Sequence, residues 1–270
     1  MIDRKALREV ALVYLAVTTA TVLVTRLRGV PAVSDYVHLL VGALFLVTAV
    51  KLAEREAGGL RRYGIDLAGV LAPPDPAPAE TDGSAAPLDA DDAPSTSPIR
   101  PRRRSAVVEL ATALREALPS ALRETGVALG VVAVIFPPFV LAFHFWHGPT
   151  HPFVLRVPPD LASFALAQLV VVGLPEEALF RGYVQTRLTD AFPGRFRLLG
   201  VPLSPAAFVL QAALFGLVHF AVDLTPERLA VAFPALLFGW LRAWRGGIGA
   251  AILVHAMSNI FADFLVRGWL

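Results

Sequence analysis

The sequence predicts an all-α, polytopic transmembrane helix bundle of about seven spans. Hydrophobic residues make up 56 % of the chain, where a soluble domain carries about 45–50 %. Charged residues are 17 %, against a usual figure of roughly 25 %. Most of the apolar residues are gathered into stretches long enough to cross a bilayer, separated by short polar or arginine-rich loops. The net charge of +2 sets few limits, but no basic face interleaved with aromatic residues is present, so nucleic acid is not an expected partner. The expected partners are the lipid bilayer and a membrane-associated peptide or protein. The chain has no cysteine, which removes disulfides, thiol catalysis and thiolate metal sites. Lys5 and Lys51 are its lysines, while arginine, alanine and proline abound, a bias that suggests a GC-rich bacterial genome and hence a bacterial inner membrane.

In chain order, a charged start (Asp3, Arg4, Lys5, Arg8, Glu9) precedes an apolar run from Val10 to Val24. No small-x-small cleavage site follows it, so the run reads as an uncleaved first span. A second span is expected over Tyr36 to Leu52, and the two form an N-terminal unit, residues 1–70. Residues 71–104 change character: prolines recur from Pro73 to Pro101 among Asp, Ala, Ser and Thr, a composition that buries no core and reads as a disordered linker. It ends in Arg100, Arg102, Arg103 and Arg104, suited to anionic headgroups.

Residues 105–270 form the remaining unit. Ser105 to Glu124 is amphipathic and reads either as a surface helix or as an extension of the next span. That span, Val127 to Trp146, is expected to kink or break at Pro137-Pro138. His144, His147 and His151 beyond it fit no regular ligand face and read as an aromatic-rich interfacial loop rather than a metal site. Leu161 to Leu174 is only about 21 Å of helix, short for a core of about 30 Å. Either it continues through Pro175 to about Asp190, or it breaks at Gly173-Leu174-Pro175. Arg187, Arg195 and Arg197 mark a basic loop. Further apolar segments follow at Pro205–Phe220, Leu229–Trp240 and Gly246–Val266. Arginine-rich loops alternate with poorer ones, and the positive-inside rule puts the N-terminus in the cytoplasm.

Charged and polar groups interrupt this apolar frame at three places. Residues 173–183 read Gly-Leu-Pro-Glu-Glu-Ala-Leu-Phe-Arg-Gly-Tyr. Pro175 suits a first helical position and acids suit a first turn, so the stretch reads on its own as a helix start. Yet an ionisable residue at membrane depth is a functional candidate. Glu177 and Arg181 are i,i+4 neighbours able to pair, while Glu176 points about 100° away and stays uncommitted. Phe215 and His219 share a helical face, as do His255 and Asn259. Two histidines, an amide and a spare carboxylate in separate spans exceed what packing needs.

The blocks Glu-Glu-x-x-x-Arg (176–181), Phe-x-x-x-His (215–219) and His-x-x-x-Asn (255–259), in this order within apolar segments, resemble the CPBP family. These are the CAAX-protease and bacteriocin-processing membrane proteins, among them the type II CAAX prenyl endopeptidases. The resemblance spans roughly residues 125–266 and leaves out the first two spans and the linker. It implies an intramembrane glutamic endopeptidase. Glu176 and His219 would activate water, His255 and Asn259 would stabilise the oxyanion, and Glu177, Arg181 and Phe215 would support them. No cofactor is expected. Two histidines and a glutamate could ligate zinc, but that would leave Asn259 idle, and no His-Glu-x-x-His helix is present. The alternative readings are a non-catalytic membrane scaffold or immunity-type protein of the same fold, and a transporter; no internal repeat supports the last.

Overall fold

The computed structural model describes residues 2–65 and 106–270; the proline-rich linker expected at 71–104 lies outside them. Two helices come first, α1 (Arg4–Arg26) and α2 (Val37–Ala53), followed by a one-turn helix, Gly59–Arg62. Asp3 caps α1 by accepting from the amides of Lys5 and Ala6, which closes the donors left open at a helix start. Helix α3 (Ala106–His147) runs for 42 residues. At about 63 Å it far exceeds the bilayer core, so its first turns are the extension of a span rather than a separate surface helix.

The kink or break expected at Pro137-Pro138 does not interrupt the helical assignment of α3. Freed carbonyls are tolerated in spanning helices where neighbours or local adjustment satisfy them.

The segment carrying the two glutamates, α4, is continuous from Leu161 to Ala191, which settles the choice left open by its short apolar run. Its continuity has a particular form. A four-residue α-helical piece, Leu174–Glu177, is flanked by two π-helical stretches, Gln168–Gly173 and Ala178–Val184. π-Helical insertions are rare and concentrate at functional positions.

A two-stranded antiparallel hairpin follows, β1 (Phe196–Leu198) with β2 (Val201–Leu203), which the sequence reading takes as loop. Arg187, expected in that loop, instead lies buried in α4 and pairs with Glu9 and Asp190. Helices α5 (Pro205–Asp223), α6 (Ala232–Arg245) and α7 (Gly249–Trp269) complete the chain. Ser204 caps α5, and Pro205 occupies its first turn.

Among the described residues, 6 helices are long and apolar enough to cross a membrane. The remaining apolar segment, expected over Leu229–Trp240, forms a 3₁₀ turn (Pro226–Val231) and the 14-residue α6, roughly 21 Å long. Large apolar side chains stay exposed along the spans, including Leu15, Val134 and Phe145. On a soluble protein such a surface would aggregate, whereas in a bilayer it faces lipid. The protein is a multi-pass membrane protein.

Two apolar clusters hold the bundle together. One joins α1 and α2 to α4 and α5 through Phe45, Phe180, Tyr183 and Phe215; the other joins α3, α6 and α7 through Val132, Phe238 and Val254. The N-terminal pair is thus packed onto the glutamate segment. Gly42 makes this approach close: a Cβ there would lie 2.6 Å from the carbonyl oxygen of Val171, in the first π-helical stretch. Tyr63 stacks on Tyr183 with ring centroids 5.6 Å apart, and burial together with nearby Glu56 pushes its phenol up to about 12.

Candidate active site

The glutamates part company as the helical period predicts. Glu177 is wholly buried and meets Arg181 at 3.1 Å, an ion pair at contact distance. The guanidinium of Arg181 is itself wholly buried and lies over two rings, Phe215 at 4.3 Å and Phe238 at 5.1 Å. These aromatic faces help hold a cation that water cannot reach. Glu176 points elsewhere: 16 % of its side chain stays accessible, and it lines a cavity of about 510 Å³.

Glu177 does more than pair with its helical neighbour. Its Oε1 accepts from Nδ1 of His255 at 2.8 Å, tying α7 to α4. The sequence reading joins Glu177 to Arg181 alone. That bond turns the other ring nitrogen of His255, Nε2, towards Glu176, whose Oε2 lies 3.7 Å away. The imidazole is stacked on Phe238, with centroids 4.9 Å apart and planes 13° apart. Position, tilt and tautomer are thereby constrained together: a carboxylate fixes which nitrogen donates, and an aromatic face fixes the ring plane.

His219 is oriented by different means. Its Nδ1 bonds the carbonyl oxygen of Phe215 at 2.8 Å; a carbonyl only accepts, so Nδ1 carries the proton and Nε2 keeps its lone pair. The Phe215 ring lies 4.6 Å from the His219 ring and 6.0 Å from that of His255. Phe215 is therefore a buried platform shared by Arg181 and both histidines.

Asn259 lies one turn beyond His255 on α7. Its Nδ2 donates to Oε1 of Gln168 at 2.8 Å, and its second amide hydrogen has no partner among the described residues. The sequence reading misses Gln168. It stands as a polar residue within the run Ala-Leu-Ala-Gln-Leu-Val-Val-Val, and that interruption is the signal that would have found it.

Glu176, His219, His255, Asn259, Gln168 and Phe215 all line the same cavity. The structure thus brings together residues 83 positions apart in the chain, Glu176 and Asn259, from three separate helices. The N-terminal pair, outside the motif blocks, also contributes to the walls through Gly42, Phe45 and His38.

The three outlying histidines do not join this site. His144 and His147 pack among Phe143, Phe145 and Trp269, and His151 bonds the carbonyl of its neighbour Pro152. Among the described residues, no three His, Asp or Glu side chains are grouped as metal ligands would be.

Residues 158–261 match the family described as type II CAAX prenyl endopeptidase, Rce1-like. No curated protein and no solved structure matches the chain. The matched region runs from just before α4 into α7 and contains all three motif blocks, while α1, α2 and α3 lie outside it.

Proposed function

We propose, from the match of residues 158–261 to the type II CAAX prenyl endopeptidase family, that this protein is an intramembrane endopeptidase using a glutamate-activated water. The observation that carries the reading is the shared cavity: Glu176, His219, His255 and Asn259 line it together, while Glu177 is buried beneath them.

In this reading a water sits between Glu176 and His219. The lone pair on His219 Nε2 and the Glu176 carboxylate accept its two hydrogens, and Glu176 takes one proton as the oxygen attacks the scissile carbonyl. The carbonyl oxygen becomes an oxyanion. The second amide hydrogen of Asn259 donates to it, and so does His255 Nε2 when that nitrogen carries a proton. Collapse of the tetrahedral intermediate breaks the C–N bond, and the proton held by Glu176 passes to the leaving amine. Water and one peptide bond give one carboxylate and one amine.

The supporting residues hold geometry rather than touch substrate. Arg181 neutralises buried Glu177, Glu177 holds His255, Gln168 holds Asn259, and Phe215 supports both rings. Pre-set donors of this kind contribute to catalysis because they need no reorganisation during the reaction. The mechanism calls on no metal, and the donor set supports that version. The substrate is a membrane-associated protein or peptide, and the setting is a bacterial inner membrane.

The test compares membranes from cells producing the wild-type chain with those producing Glu176→Gln, by mass spectrometry of newly formed protein termini. The reading expects a set of termini that vanishes in the variant while both proteins insert equally. Identical sets would overturn it. A scaffold or immunity-type protein of this fold would give that second result.

A further inference from the structure

We infer that the catalytic cavity is served from the arginine-poor face of the membrane, so that its substrate is an exported, membrane-anchored polypeptide rather than a cytosolic tail. The word substrate rests on the peptidase reading; the direction of access rests on the bundle alone.

Contacts between distant residues define the two ends of the bundle. At one end Arg62 reaches Asp190 at 2.6 Å, Arg242 reaches the Arg62 carbonyl at 3.3 Å, and the Asp3 amide bonds the Ala191 carbonyl. Arg187, Arg195, Arg197 and Arg245 also belong to this end, as do the start of α1 and the ends of α4 and α6. At the other end Asp223 meets Arg28 at 3.7 Å and Arg228 at 2.6 Å, and the Val154 amide bonds the Gly268 carbonyl. The basic residues are concentrated at the first end, which the positive-inside rule assigns to the cytoplasm.

Six helices, α1, α2 and α4 to α7, contribute to the cavity, and α3 does not. Helix α1 gives Thr21 and Thr25 near its end, and α2 gives His38 to Phe45 at its start. Helix α4 gives Phe164 to Glu176, α5 gives Phe215 to Asp223, and α7 gives His255 to Asp263. No residue of the cytoplasmic end is among its walls. The rim carries Arg28, His38, Asp223, Arg228 and Asp263, polar groups suited to water. Below the catalytic residues the way is closed. Arg181, Phe180, Leu241 and Ile248 are all at most 1 % exposed, and the fully engaged pair Glu124–Arg245 lies beside them. The separate cavity of about 290 Å³ at the cytoplasmic end, lined by Gln185, Asp190 and Arg242, shares no residue with the catalytic one.

A scissile bond entering from the cytoplasm would have to pass that packed layer, whereas from the other face it meets an open, polar mouth. Depth fits as well. His255, early in α7, lies deep in the well, and His219, late in α5, lies on its wall nearer the outward mouth.

The absence of cysteine gives a direct test. His38→Cys and Asp263→Cys place single thiols at the mouth on two different helices, and Leu199→Cys places one at the exposed hairpin turn of the opposite end. Intact cells are treated with a membrane-impermeant maleimide, and inside-out vesicles from the same cells are treated in parallel. The inference expects both mouth thiols to label in intact cells and to lose that labelling in inside-out vesicles, with Leu199→Cys showing the reverse. Labelling of the mouth thiols only in inside-out vesicles would overturn it. Either variant at the mouth decides the matter if the other fails to insert. The readout is independent of proteolysis, so a failure here is distinct from a failure of the Glu176→Gln comparison.

Discussion

Glu124 and Glu176 are both glutamates in spanning helices, and the structure treats them in opposite ways. Glu124 is 2 % exposed and its two oxygens receive three contacts from Arg245, at 2.6, 3.1 and 3.2 Å. It is a bidentate pair with its charge fully answered, and it ties α3 to α6 near the arginine-rich end. Glu176 has no such partner: its nearest described cation is an imidazole nitrogen at 3.7 Å, and it faces a cavity. Glu177 stands between the two, buried like Glu124 but holding His255. A carboxylate at membrane depth is therefore not a site by itself. What distinguishes the proposed base, Glu176, is an unanswered charge, room for water and oriented neighbours.

That contrast yields graded expectations. Replacing His219 with Ala should lower turnover by ~10²–10⁴-fold, the usual contribution of a positioned acid–base group, with little change in melting temperature. Glu124→Ala should act the other way. Breaking a buried pair leaves Arg245 uncompensated and should cost about 3–5 kcal/mol of stability, read as a lower midpoint of unfolding in detergent, while turnover per folded molecule is kept. Asn259→Ala should lower turnover by ~10²–10³-fold, as loss of an oxyanion donor does, without the stability loss of Glu124→Ala. Gln168→Ala removes one neutral hydrogen bond worth about 0.5–1.5 kcal/mol, so turnover should fall by roughly 2–13-fold and Gln168→Asn should restore part of it. Thorough chelation should leave turnover unchanged; a loss reversed by added zinc would break the metal-free half of the account.

Much of this was legible in the sequence, for reasons that can be named. The 3.6-residue period separates Glu176 from Glu177 and pairs His255 with Asn259, and both relations hold in three dimensions. Composition and apolar runs give the all-α membrane class. Long-range partners were out of reach. Nothing near Glu124 in the chain points to Arg245, 121 residues away, and nothing near Glu177 points to His255. The π-helical stretches around Leu174–Glu177 pack against α2 and α7, contacts that a local reading of Gly-Leu-Pro-Glu-Glu does not contain. The hairpin at 196–203 was missed because Phe-Arg-Leu and Val-Pro-Leu are too short to show alternation.

The most direct measurement sets the two acids side by side. Glu176→Gln and Glu124→Gln are purified, reconstituted and assayed for cleavage of a wild-type-sensitive membrane substrate, with turnover expressed per folded molecule. The account predicts that Glu176→Gln folds as well as wild type and loses cleavage by ~10²–10⁴-fold, while Glu124→Gln is destabilised and still cleaves. Cleavage at the wild-type rate by folded Glu176→Gln would contradict it.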